Sequence, residues 1–218
     1  MVRRLWVIFG VAIVVAGGFG YGGFGVMATF PEMRGLNRRL TELNHEWGGR
    51  DSLRISGPMW WLTGHGAAEI GQVTIGGWGA VSGLSQKADS VGNELLAVIA
   101  AYEMGYQYSP VEYCWVRPCV DLRFGAWFDW VHSLEPGQSN FSRWFLVWDM
   151  ALCPGLEVMG RLRFGEQSFI GLFAKGSYMM PFVLWEFGDS PVPDFRLQGF
   201  ALQAGLRFGK MEPRPFRM

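Results

Sequence analysis

The chain has 218 residues, 50% of them apolar and 17% charged, with a formal net charge of zero. That length suits one domain, and the neutral balance gives no basic field of the kind nucleic-acid binding needs. No apolar run approaches the roughly 18 residues of a membrane-spanning helix, so any membrane span must be β.

The first 20 residues read as a secretory signal. Arg3 and Arg4 form a positive start, and Leu5 to Ala16 is a short apolar core. The pattern predicts export and cleavage near Ala16 to Gly20. A retained anchor is the other reading, for which the apolar run is short. Residues 21–54 follow as a glycine-rich lead, Tyr21 to Val26, and a helix from Pro31 to Trp47. Met33, Leu36, Leu40 and Leu43 recur at helical spacing, while Arg34, Arg38, Arg39 and Glu42 take the other face. Gly48-Gly49 stops the helix. This amphipathic helix is expected to pack against a barrel end.

Residues 55–209 read as β throughout. Eight strands are predicted, at 55–64, 69–83, 93–108, 111–131, 141–152, 156–165, 168–180 and 195–209. Turn signals at Gly64-His65-Gly66, Ser109-Pro110, Glu135-Pro136-Gly137 and Pro154-Gly155 are among those that separate them. Spans of about 9–11 residues cross a bilayer at a tilt. In the last strand the even positions from Phe200 to Phe208 are apolar, and the odd positions from Gly199 to Arg207 are small or polar. In the fourth, Val120, Leu122, Phe124, Ala126 and Phe128 oppose Asp121, Arg123, Gly125, Trp127 and Asp129. The third, sixth and seventh alternate in the same way, and place Glu103, Glu157, Arg161, Arg163 and Lys175 on the polar side. The motif Leu-Arg-Phe-Gly recurs at 122–125, 162–165 and 206–209, a weak repeat about one hairpin pair long.

The predicted fold is all-β: a closed antiparallel up-and-down barrel of about eight strands with a short N-terminal amphipathic helix. A soluble sandwich also alternates. The joint occurrence of a signal, glycine and alanine on both faces, and Trp and Tyr at strand ends favours a barrel in a membrane. Its lumen would hold Glu103, Asp121, Arg123, Asp129, Glu157, Arg161, Arg163, Lys175 and Arg207. Eight strands leave room for side chains and little else, so ion pairs are expected to fill it. The long connections at 84–93, 131–141 and 181–194 do not all fall on one side in this strand count, which leaves the orientation open.

The signal, the lead, the helix and a final strand ending Gln203-Ala204-Gly205-Leu206-Arg207-Phe208-Gly209 resemble small eight-stranded bacterial outer-membrane β-barrel proteins. The resemblance implies an outer-membrane location, lipid around the wall, and the barrel-assembly machinery as a partner for the last strand. In that group the chain often stops at a terminal aromatic, which Phe208 or Phe216 resembles. Here a tail, 210–218, extends past the strand.

His132, Ser133 and Glu135 are the only group that suggests catalysis, by a lipid-modifying enzyme. Neighbours in one strand point to opposite faces, so His132 and Ser133 fit a nucleophile–base pair poorly. No phosphate loop, dinucleotide fingerprint or metal motif occurs, and no cofactor is expected. Cys114, Cys119 and Cys153 could be free or partly paired. The function expected is a structural or surface-interaction barrel. A small-solute or lipid transporter or ligand-binding barrel, an inside-out soluble barrel, and an embedded lipid-modifying enzyme are the alternatives, and any ligand is unspecified.

Overall fold

The computed structural model describes residues 20–50, 54–87, 91–111, 113–134, 142–164, 168–188 and 196–210. Its elements are β1 (Gly20–Glu32), α1 (Arg34–Glu46), β2 (Met59–Ile70), β3 (Val73–Lys87), β4 (Val91–Tyr106), a short β5 (Tyr108–Val111), β6 (Cys114–Ser133), β7 (Ser142–Phe164), β8 (Ser168–Gly188) and β9 (Arg196–Lys210). Every strand but β5 joins one ring in the order β4-β3-β2-β1-β9-β8-β7-β6, and β6 pairs back to β4. The result is a closed, all-antiparallel barrel of eight strands.

The register fixes its shape. From Val26 the pairing runs through Leu62, Val81 and Val98 to Ala126 on β6. The other way it runs through Ala204, Ala174 and Val158 to Val116, ten residues short of Ala126. A stagger of this kind accompanies strands tilted by roughly 35–45° to the barrel axis.

The alternation read from sequence sorts the two faces. Outward Leu162, Leu172, Phe200 and Leu202 are 65%, 69%, 63% and 56% exposed, while inward Arg117, Asp121 and Glu157 are 0%, 0% and 1% exposed. This inverts the polarity of a soluble barrel, whose apolar face is the one withdrawn from water.

Two strand assignments change. The glycine-rich lead is the first barrel strand, β1, which pairs with both β2 and β9. Its glycines hide the alternation, yet they serve close packing: a Cβ at Gly23 would strike the His65 ring. Residues expected as two strands at 141–152 and 156–165 form one continuous strand, β7. Pro154 does not turn the chain. It interrupts the ladder to β8 between Leu152 and Gly155, while pairing to β6 runs on through Val120. A missing N–H is tolerated where the ladder is open on one side. The first hairpin turn also moves. Gly64-His65-Gly66 lies inside β2, and the turn is at residues 71–72, where Gly71 adopts φ 63°. The missed strand and the divided one offset each other, so the count of eight survives.

With the strands corrected, the connections sort by side. The strand ends joined through 71–72, 107–113 and 165–167 lie at the rim that holds Gly20 and Lys210, here the lower rim. The strand ends joined through 33–58, 88–90, 134–141 and 189–195 lie at the upper rim. The long connections therefore share one side. Residues 1–19, which include nearly all of the expected signal, and 211–218, in the tail, lie outside the described residues.

α1 starts later than Pro31, which still belongs to β1 and precedes a register shift. Its apolar side, Leu36, Leu40 and Leu43, is buried within the upper lumen. There it joins Leu95, Val131, Phe145 and Val147 from β4, β6 and β7 in one apolar cluster. Arg34, Arg38, Glu42, His45 and Glu46 face out. Asn37 ties the helix to the returning chain: its Nδ2 donates to the Ile55 carbonyl at 3.0 Å, and the Ile55 N–H donates to its Oδ1 at 2.7 Å.

Candidate functional site

Strand alternation aims the charged side chains of β4, β6, β7, β8 and β9 into the lower and middle lumen. Glu157 on β7 accepts from both Arg207 nitrogens, Nη1 and Nη2, the second at 2.6 Å, and from Arg117 Nη2 at 2.9 Å. Glu103 on β4 accepts from Arg117 Nη2 and from Lys175 Nζ, the latter at 2.5 Å. Lys175 also reaches both oxygens of Asp121, at 2.8 and 2.7 Å. Three cations, Arg117, Lys175 and Arg207, thus meet three carboxylates, Glu103, Asp121 and Glu157.

Neutral groups complete the shell. Arg117 Nη1 donates to the Tyr21 hydroxyl at 2.6 Å, Arg207 Nε to His65 Nε2 at 3.0 Å, and Trp78 Nε1 to Asp121 at 3.0 Å. The Arg207 guanidinium lies 4.5 Å from the Tyr21 ring centre and 4.3 Å from that of Phe173. Aromatic faces stabilise a desolvated cation. Above this layer Arg123 pairs with Asp149, which also accepts from Trp127 Nε1 at 3.0 Å. Gly125 leaves the space that the Asp149 carboxylate fills, since a Cβ there would collide with it.

The expected lumen residues divide by location. Glu103, Asp121, Arg123, Asp129, Glu157, Arg161, Lys175 and Arg207 are buried. Arg163 is exposed at the lower end of β7. Asp129 sits higher than the charged layers, among the apolar residues around α1. Sequence reasoning missed Arg117, Asp149, Tyr21 and His65. Extending the odd-numbered face of β6 back past Pro118 finds Arg117. The odd face of β7, Val147-Asp149-Ala151, finds Asp149. Tyr21 and His65 were hidden by the lead and turn readings.

Among the described residues, the charged layers leave little space for solute between them. A cavity of about 10 Å³ remains between the two charge layers, bordered by Trp78, Asp121, Arg123, Lys175 and Gln203; that is about the room of one water. Ligand atoms of Glu103, Cys119 and Asp121 lie within 4.8 Å of one another. Lys175 Nζ contacts both carboxylates and supplies the positive charge a metal would bring.

His132 points outward beside the Trp130 ring, 4.9 Å between centres. Its register partner on β4 is Gly92, and that of Ser133 is Val91. Adjacent strand residues thus diverge, and the His132 Nδ1 atom has no hydrogen-bond partner. Glu135 lies outside the described residues. All three cysteines are free. Cys119 pairs with Gly155 and Cys153 with Asp121, so the two thiols are diagonal neighbours, at a Cα spacing of roughly 7–8 Å that exceeds disulfide reach.

No protein-family model and no curated protein matches the chain. Two solved outer-membrane proteins are similar to it in structure. The attachment invasion locus protein Ail of Yersinia pestis aligns at 12% identity with a TM-score of 0.48, over 88% of this chain and 100% of its own. A major outer membrane protein of Thermus thermophilus aligns at 10% identity with a TM-score of 0.45, over 87% of this chain and 98% of its own. At such identities no residue role transfers between the chains.

Proposed function

We propose that this protein is an integral outer-membrane β-barrel, exported through a cleaved N-terminal signal, that is closed to solutes and serves a structural or surface-interaction role. One observation carries the reading: the apolar face of the wall points outward all around the ring, and the ionised side chains point inward. Water does not stabilise such a wall, whereas hydrocarbon does. Tyr106 and Phe208 toward the lower rim, and Trp60, Trp130 and Trp144 toward the upper, are exposed aromatics of the type found at both membrane interfaces. Two of the three lower connections, 71–72 and 165–167, are short, and three of the four upper ones, 33–58, 134–141 and 189–195, are longer, which matches periplasmic and external sides respectively. Lipid would surround the wall, and the assembly machinery would meet the chain through β9.

The closed lumen supports a non-conducting role over a transporter. Separation of the inner and outer membranes, followed by electrophoresis with and without boiling, tests the location. An outer-membrane fraction and a heat-dependent mobility shift are expected. Recovery in the soluble fraction without such a shift would overturn the reading.

A further inference from the structure

We infer that the upper lumen is a binding compartment for a single-chain amphiphile with a cationic, hydrogen-bond-donating head, and that α1 fills it in the present form.

The compartment has an unsatisfied polar anchor. Asp129 is 0% exposed and Asn93 1% exposed. The Asp129 carboxylate and the Asn93 amide face each other, and neither meets a cation or any further hydrogen-bond partner among the described residues. By contrast, Glu103, Asp121, Asp149 and Glu157 each touch an arginine or lysine. Asn93 lies across from Val131, and Asp129 across from Leu95, so the two are diagonal neighbours on the inner face. A buried carboxylate without a counter-charge is costly, and among the described residues none lies close by. Arg123 and Asp149 engage each other deeper in the lumen. Arg143 is exposed at the upper rim, and the charged residues of α1 lie on its exposed or half-exposed side.

The surroundings are apolar and covered by one element. Leu95 and Phe145, which flank Asp129 on β4 and β7, belong to the cluster that seats α1. A hydrocarbon tail would take the volume that Leu36, Leu40 and Leu43 now fill. An ammonium head would donate to the Asp129 carboxylate and the Asn93 carbonyl.

α1 is suited to yield. Met33 at its N-cap makes no side-chain cap, and its first turn holds no acid. Arg34 there opposes the helix dipole. A helix of 13 residues without these supports depends on its packing. The wall beside it is also low. Among the described residues, β8 runs nine residues past Met179, its last partner toward β9, and β3 six past Val81, its last toward β2.

The test uses the full mature protein in lipid nanodiscs, with dodecylamine and dodecanoic acid as probes. Binding is read by native mass spectrometry, and α1 release by the rate of tryptic cleavage after Arg38 and Arg39. Dodecylamine is expected to bind one per barrel and to speed cleavage several-fold, and dodecanoic acid to do neither. Asp129→Asn should keep the heat-dependent gel shift and lose the response. Leu40→Ala, which weakens the seat of α1, should bind the amine more tightly. An amine that leaves cleavage unchanged overturns the inference. So does an equal response from Asp129→Asn, or from the acid. The charged lower layers stay in place throughout, so a conductance measurement bears on the closed-barrel reading and not on this one.

Discussion

Arg207 on β9 and Glu157 on β7 form a two-pronged pair across the width of β8, which separates their strands in the wall. Neither residue has a water-exposed alternative, at 2% and 1% exposure. Replacing Arg207 with Ala removes a two-pronged partner of Glu157, which keeps Arg117, and takes a cation from the buried cluster. A loss of about 3–5 kcal/mol in unfolding free energy is expected. Urea unfolding in detergent, followed by tryptophan fluorescence, measures it, and a loss below about 1 kcal/mol would contradict the buried-pair account.

The wall should distinguish its two faces sharply. Leu202→Arg places a charge against hydrocarbon and is expected to cost about 2–4 kcal/mol near the midplane. Gln203→Leu, one residue along, faces the lumen and loses one hydrogen bond to Thr63 Oγ1 at 3.0 Å, a cost of about 1 kcal/mol. Reversible folding into vesicles compares the two. Equal tolerance would argue against a lipid-facing wall.

Arg123 and Asp149 offer a cleaner electrostatic test. Arg123→Met alone strands a buried carboxylate, and Asp149→Leu alone strands a guanidinium. The double variant removes both charges and should be more stable than the sum of the single losses predicts. A coupling of about 1–3 kcal/mol is expected from the double-mutant cycle. Strict additivity would mean that the two side chains do not interact.

Planar-bilayer recording addresses the closed lumen directly. The unmodified protein should give no steady unitary conductance, because paired side chains and α1 fill the bore. Arg207→Ala should lose stability before it gains current. Reproducible channels from the unmodified protein would promote the transporter alternative.

The thiols report on the same enclosure. Cys119 and Cys153 are buried, and Cys114 is half-buried near the lower rim. In the folded protein a maleimide should modify Cys114 alone, and after unfolding all three. Mass spectrometry counts the adducts. Rapid labelling of Cys153 in the folded state would mean that the lumen is open to reagents.

The sequence carries the faces better than the boundaries. In β6 and β9 the period of two sorts lumen from wall residue by residue, because long antiparallel strands impose that period on every position. Boundaries fail where glycine and proline have two meanings. In Gly20–Gly25 the glycines mark close packing inside a strand, and read as a linker. Pro154-Gly155 reads as a turn, though a proline can sit in a ladder that is open on one side. His65 falls in the same kind of false turn and so is lost from the Arg207 shell. Asp129 is legible as an inner-face residue of its strand. Its height in the barrel is not, since height depends on the stagger of neighbouring strands, a property of pairing rather than of pattern.

The pairing of Gly20 with Lys210 puts both ends of the described chain at one rim. In a membrane, neither end has to cross during assembly; only the four upper connections do. The segment between β1 and β2 is by far the heaviest of these loads, because it carries Arg34, Arg38, Arg39, Glu42 and Glu46 through hydrocarbon with the helix unseated. Insertion speed should then depend on this one connection, and a chain shortened between Glu32 and Met59 should enter the bilayer faster than the full-length chain.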